Sequence, residues 1–391
     1  MTFDEALAEM RAHALRMPAE PVPLAGLVGR VLAEDVRARV DHPAFTNSAM
    51  DGFAVRAADA AEGALLRVVG ESRAGTPFTG TVGAGEATRI STGAQMPDGA
   101  DAVLRKEDAQ EAGDDARVTA APAAGAHVRR RGEDVRRGQV LIPAGRAIGA
   151  HEVAVVAAAG HARAACARRP RVAVLGSGDE VVAPGGDLAP GQVFDANRPG
   201  IRAQAEAAGA EVIAAPLVPD DRERTIAAVR ALLERPDGRA PELLVTIGGV
   251  SVGRHDHLRP ALEAAGVREI LFGVQIRPGH PLWLGRRGEQ LVLGLPGNPV
   301  SAAVCFHAFG RELLGRAEPW EPRRPMGARY VKETPRTELV RCRELDGALH
   351  PLPRQGSHAV TSLAGATHLA VVDADSRAVA PGEPVRCCRL A

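Results

Sequence analysis

The sequence predicts a multidomain fold, an α/β parallel-sheet domain combined with β-rich domains, on three observations. From Arg169 onward, short apolar strands alternate with amphipathic helices. Residues 43–136 carry brief alternating stretches punctuated by Gly, Pro, Ala and Asp. Residues 326–391 read as short strands joined by turns. A chain of 391 residues also exceeds one compact core, so roughly two to four domains are expected.

The alternation is clearest between residues 171 and 315. RVAVLG is a short strand ending in glycine, NRPGIRAQAEAAG a helix, EVIAAPLV a strand and RERTIAAVRALLE a helix. ELLVTIGG, HLRPALEAAG, LVLGLPG and NPVSAAVCFHAFGRELLG continue the pattern as strand, helix, strand and helix. Such spacing implies a parallel sheet with helices on both faces. Ligands of these sheets bind beyond the C-terminal strand ends, which directs attention to the loops after Leu175, Val218, Ile247, Ile276 and Leu295.

At the start, FDEALAEMRAHALR (3–16) reads as an amphipathic helix closed by the Pro18–Pro23 break. LVGRVLAEDV reads as a short helix or turn leading into a strand, VLIPAGRAI as strand and turn, and HEVAVVAAAG as a helix. Residues 1–42 and 137–168 are expected to form one N-terminal domain, with 43–136 inserted into it as a small β domain. Residues 169–319 form the α/β domain, WEPRRP (320–325) a linker, and 326–391 a C-terminal β domain.

Composition excludes several classes. Aromatics are only 3% and formal net charge is zero, which argues against single-strand nucleic-acid stacking and against a field drawing the chain to DNA or a membrane surface. No apolar run reaches the roughly 18 residues of a membrane span. The start carries Asp4 and Glu5 rather than a basic and then apolar stretch, so no signal peptide is expected. The five cysteines are scattered, which favours small apolar fillers in a reducing cytoplasm over a disulfide or zinc framework.

The strand-end loops carry the chemistry. GSGDE (176–180) sets two carboxylates on a turn. PDD (219–221) begins a helix, where Asp220 could simply be the N-cap. GGVSVGRHD (248–256) combines glycines with Ser251 and Asp256. RPGHP (277–281) offers cationic groups on a rigid turn, and GLPGNP (294–299) exposes N–H groups at a helix start. Glycine loops with Arg277 and His280 suit an oxyanion, whereas Asp179, Glu180, Asp220 and Asp256 would repel one unless Mg²⁺ stood between. The pattern therefore points to a phosphate-containing ligand with Mg²⁺. Neither GxxxxGK[ST] nor HExxH is present. In the first part, TNSAMDG suits a tight loop near a ligand, ISTGAQMP and RRRGEDVRRG look like strand–loop junctions, and the acid pair Glu133 and Asp134 reads as buried.

GRVLAEDV, SAMDGFAVR, ISTGAQMP, GADAV, RRRGEDV, GSGDEVV, GGVSVGRHD, GLPGNPVSA and QGSHAVTSLAGA, in this order, closely resemble the molybdopterin molybdenumtransferase family. This is the bacterial MoeA type, to which the gephyrin E domain also belongs. The resemblance spans essentially the whole chain. It implies an elongated dimerisation domain, an inserted β lid, an α/β molybdopterin-binding domain and a C-terminal β barrel, assembled as a homodimer. It further implies a Mg²⁺-dependent reaction that takes adenylylated molybdopterin and molybdate to molybdenum cofactor and AMP, with the upstream molybdopterin adenylyltransferase as a partner.

By motif, the resemblance assigns catalytic positions to Asp51, Thr92, Asp134, Glu180, Asp220 and Asp256, with Asp220 and Asp256 at the metal. Ser251, Arg277, His280 and Asn298 would contact substrate, and Arg336 and Ser357 would hold molybdate. The family usually has two lysines where this chain has Arg277 and His280, and a histidine keeps its charge only below about pH 6.5. Arg254 and His255 also depart from the usual small or acidic residues. The other readings of this architecture are a non-catalytic dimeric scaffold and the adenylyltransferase itself. The intact carboxylate set argues against the first, and the extra N- and C-terminal domains against the second.

Overall fold

The computed structural model describes residues 1–235, 237–249, 257–316 and 319–390, so Ser251, Arg254, His255 and Asp256 lie outside the described residues. The chain divides into two compact units, Met1–Met17 with Arg168–Ala391, and Pro18–Ala167.

The larger unit is built on a seven-stranded sheet. Its order is Glu211–Ala214, Arg171–Ser177, Leu243–Ile247, Gln290–Leu295, Trp283–Arg287 and Arg268–Phe272, with Leu217–Val218 adding to Arg171–Ser177. The first four run parallel. The last two are antiparallel, which corrects the all-parallel expectation to a mixed sheet. REILF and WLGRR carry charges and a glycine in place of an apolar run, so their strand character was not visible. Gly288, at φ +57°, makes the tight turn that folds Trp283–Arg287 back on Gln290–Leu295.

Successive buried side chains of the parallel strands go to opposite faces. Val172 and Val174 join one core with Val245 and Leu293, under the helices Phe3–Ala12, Asn197–Ala207 and Pro299–Cys305. Ala173 and Leu175 join a second core with Leu244 and Val292, under Arg222–Leu233 and Leu258–Ala264. A sheet covered on both faces needs strands that are almost wholly apolar, and in LLVTI only Thr246 is polar.

The first helix, Phe3–Ala12, belongs to this core, contrary to its expected place with residues 18–42. Thr2 and Glu5 close its start with a capping box, and Phe3, Ala6, Leu7 and Met10 line its buried face. It is also shorter than 3–16, because the Leu15 N–H leaves the helical ladder for the Leu313 carbonyl at 2.8 Å. WEPRRP is not a bare linker: Glu321–Pro325 is a strand paired with Pro384–Arg389. The C-terminal sheet runs Ile276–Arg277, Thr337–Leu345, His368–Val372, Pro384–Arg389, Glu321–Pro325, and Ala348–Pro351 adds to Thr337–Leu345. Its first strand, Ile276–Arg277, ends on the first residue of the RPGHP turn and pairs in parallel with Thr337–Glu338. All five cysteines are buried.

In the smaller unit, Ala19–Pro23 pairs with Arg163–Ala167 and Val36–Arg37 with Val140–Ile142, around Leu27, Leu32, Ile148 and Val156. A six-stranded sheet, centred on Gly52–Val55, Glu86–Ile90 and Leu65–Ser72, lies between these flanks in sequence.

Phe3 meets the Phe309 and Trp320 rings edge-on at 5.7 and 5.0 Å. Phe3→Ala should therefore cost about 3–5 kcal/mol. Both tryptophans lie in this unit, so a lowered urea midpoint in tryptophan fluorescence would report it, whereas an unchanged midpoint would detach the helix from the core.

Candidate active site

In the α/β unit, the strand ends enclose a cleft of about 320 Å³ lined by Gly176, Gly178, Glu180, Asp195, Asn197, Arg198, Asp220, Gly248 and Gly297, among others. The loops after Ser177, Val218, Ile247 and Leu295 thus converge as the strand-end rule requires. Asp220 is not the helix cap. Asp221 takes that role, accepting from the Arg224 N–H at 2.8 Å, and leaves the Asp220 carboxylate to the cleft. The Asp220 N–H is in turn held by the Asp179 carboxylate at 3.1 Å, so the two acids of GSGDE divide their work between the turn and the cleft.

Asp195, Asn197 and Arg198 were missed by the sequence reading, which saw only a helix in NRPGIRAQAEAAG. Arg198 donates to the buried Asp195 carboxylate at 2.5 Å and to the Ala215 carbonyl at 2.7 Å. Its stem passes over Gly176, where a Cβ would come within 2.9 Å of it. Asn197 donates to the Gly297 carbonyl at 2.7 Å and so ties the Asn197–Ala207 helix to the GLPGNP loop. The available signal was a cluster of Asp, Asn and Arg at a helix start directly following a strand-end loop.

Asn298 precedes Pro299 at the start of a helix, and its side chain makes no capping bond, which frees the amide. The Val300 N–H donates to the Ser357 carbonyl at 3.2 Å, bringing QGSH to the same helix start. His280 Nδ1 donates to the Val274 carbonyl at 2.8 Å, so Nδ1 carries hydrogen and Nε2 is left for other contacts. Arg277 is less free than expected. Glu333 at 2.5 Å and buried Glu338 at 3.3 Å neutralise it, and Glu338 also accepts from Tyr330 Oη, Thr334 Oγ1 and two backbone N–H groups. This turn is an anchor for the C-terminal sheet before it is an oxyanion ligand.

The structure brings Arg341 to the QGS loop. Arg336 is half-buried, whereas Arg341 is fully buried. Its Nε donates to Ser362 Oγ at 2.8 Å and its Nη2 to the Arg354 and Gly356 carbonyls at 3.1 and 3.4 Å. Its Nη1 is buried without a hydrogen-bond partner. Burial pushes its pKa down to about 10, so the guanidinium still carries its charge at neutral pH. An arginine inside a strand of apolar neighbours reads as an oddity in sequence, and only the fold shows what it faces.

In the smaller unit, Asp51 Oδ1 accepts from the Thr92 N–H at 2.6 Å and Oγ1 at 2.9 Å, uniting SAMDG with ISTGA. Gly52 is demanded there, since a Cβ would lie 2.0 Å from the Leu104 carbonyl oxygen. Val128–Arg129 pairs with Asn47–Ser48, which sets RRRGED beside the same loop. Asp134 and Glu133 are exposed, not buried, because Gly132 turns the chain there and the Glu133 carboxylate bends back to the Arg130 N–H.

Three family models tile the chain. The MoeA N-terminal region (domain I and II) matches residues 1–160, the probable molybdopterin binding domain 173–316, and the MoeA C-terminal region (domain IV) 323–389. A molybdopterin molybdenumtransferase of Synechococcus elongatus is 33% identical over 403 residues, 98% of this chain and 98% of that protein. One from Haemophilus influenzae is 35% identical over 322 residues, 81% of this chain and 78% of its own. The crystal structure of a molybdopterin biosynthesis MoeA protein from Pyrococcus horikoshii overlays with TM-score 0.85 at 28% identity, covering 100% of this chain and 98% of that one. The chain belongs to the MoeA family of molybdopterin molybdenumtransferases.

The Thr92 backbone and hydroxyl donors hold the Asp51 carboxyl below its ordinary range. Folding therefore favours the ionised form, a contribution present above the unfolded pKa and lost as pH falls through the folded one. Thr92→Val should move the Asp51 titration upward in carboxyl-carbon NMR; an unmoved titration would show the hydroxyl to be irrelevant.

Proposed function

We propose that this chain is a molybdenum-inserting transferase that takes adenylylated molybdopterin and molybdate to molybdenum cofactor and AMP. The observation that carries this reading is the cleft at the strand ends, where Glu180 and Asp220 face glycine loops and a helix start in a member of this family. Glycines let backbone approach a phosphate closely, and a helix start turns N–H donors and positive dipole toward it.

The donor set suits Mg²⁺. Among the described residues no three His, Cys, Asp or Glu side chains gather as a metal cage. Mg²⁺ rarely asks for one, since it takes one or two carboxylates and fills the rest with water and substrate phosphates. Asp220 would hold it together with Asp256, and the bound ion would offset charge on the pyrophosphate. Glu180 would line the nucleotide and pterin side, Ser251 would hydrogen-bond the ligand, and Arg198, pinned by Asp195, would keep its orientation in the cleft. Asp51, Thr92 and Asp134 would act within the inserted β lid, and the chain would work as a homodimer with its C-terminal sheet as a barrel.

For molybdate, Arg341 supports the reading better than Arg336. It is a buried guanidinium with one uncommitted Nη1, held against the loop that carries Ser357. Arginine donors suit a tetrahedral oxyanion. With Arg277 paired to two carboxylates, His280 is the side chain of the RPGHP turn whose Nε2 is left to meet a ligand.

AMP should be released from adenylylated molybdopterin only when molybdate and Mg²⁺ are both present, and Asp220→Asn should slow release by roughly 10²-fold or more. A folded protein that releases no AMP under reducing conditions would refute the assignment. Arg341→Met should weaken molybdate binding by at least about tenfold, or 1.4 kcal/mol, in calorimetry, while Arg336→Met leaves it nearly unchanged. The reverse ranking would restore Arg336.

A further inference from the structure

The α/β sheet carries a second concave site, at the opposite end of its strands from the cleft. Register fixes this placement. Arg286 pairs with Leu291, Leu291 with Leu243, and Leu243 with Val172, all at the starts of the parallel strands. The cleft lies at their ends, beside Gly176, Ile247 and Gly297. The second cavity, of about 530 Å³, is lined by His13, Arg268, Ile270, Arg286 and Arg287 with two glycines. Among its lining residues there is no carboxylate.

We propose that this cavity binds a phosphate-bearing small molecule, held by Arg268 and Arg286. Arg268 and Arg286 are direct cross-strand partners in an antiparallel ladder. Like charges placed opposite each other destabilise a sheet, so folding alone gives no reason to pair two arginines there. An anion between them converts the repulsion into two attractive contacts.

The acids that reach these cations stand outside the cavity. Glu289, the partner of Arg286, is 95% exposed against 41% for the arginine. Glu234, the partner of Arg287, is 53% exposed against 31%. Glu9 meets His13 in the same sense, 37% against 23%. Exposed pairs of this kind contribute only about 0–1 kcal/mol, so an entering anion can share or replace them cheaply. Arg268 has no ion pair at all among the described residues. Guanidinium groups match phosphate oxygens in paired hydrogen bonds, and half-buried Ile270 supplies an apolar wall for the rest of the ligand. The strand Arg268–Phe272 ends the sheet, which leaves one side of the cavity open for entry.

This site does not depend on the proposed transferase reaction, and its test keeps the two apart. Pyrophosphate and AMP are the probes, used without divalent metal so that the carboxylate-lined cleft is disfavoured. Equilibrium dialysis should show binding to the intact chain, and hydrogen exchange should slow across residues 266–272 and 284–290. Arg268→Glu should lose at least about tenfold in affinity and Arg268→Lys should lose much less, with AMP release from adenylylated molybdopterin unchanged in both. Arg286→Gln serves as a second variant should Arg268→Glu fail to fold. Protection confined to residues 176–180 and 294–299, wild-type affinity in Arg268→Glu, or an equal loss of AMP release would each overturn the proposal.

Discussion

The central strands of the α/β unit must keep water from both faces, and the rest of that unit follows from this requirement. Leu243, Leu244, Val245 and Ile247 are all buried, with alternate residues committed to opposite cores. No functional polar side chain can sit along such strands without an expensive partner. Polar chemistry is pushed to the strand ends, where the chain turns and backbone N–H groups come free. Glycine at Gly176, Gly248 and Gly297 keeps those turns low enough for a ligand to approach.

The same constraint explains how the carboxylates are shared out. A helix start needs one acceptor for its first N–H groups, and Asp221 supplies it. The neighbouring Asp220 is thereby released, while Asp179 fixes its backbone. Two adjacent aspartates, alike in sequence, acquire different work because only one can cap. Asp195 and Arg198 form a comparable pair. Removing the arginine would strand a buried carboxylate, a loss of about 3–5 kcal/mol, so the cleft wall is held by an interaction that tolerates little change.

In the C-terminal sheet, Glu338 plays the organising part. It gathers Arg277, Tyr330, Thr334 and two N–H groups, and so joins the RPGHP turn to the strand Thr337–Leu345. The turn that looked cationic in sequence is electrically quiet on its arginine side. Three residues beyond Glu338, Arg341 has no such acid in its hydrogen-bond set and is met by Ser362 and carbonyl oxygens. Arg277 is thus paired with acids, whereas Arg341 is held by neutral oxygens.

By itself the sequence determined the alternation of strands and helices from Arg171 to Leu313 and the strand-end location of the cleft, because apolar periodicity and glycine-rich loops are local properties of the chain, while its motifs carried the resemblance to the family. Its motifs also named Asp51, Thr92, Glu180 and Asp220. Only the tertiary structure decided that Phe3–Ala12 joins the α/β core, that two antiparallel strands extend the sheet, and that Arg341 meets the QGS loop. The physical reason is that an edge strand, a packed helix face and a buried charge are each defined by partners far away in sequence. Asp220 or Asp221, and Arg336 or Arg341, are equivalent letters until packing determines which one is left with an unmet need.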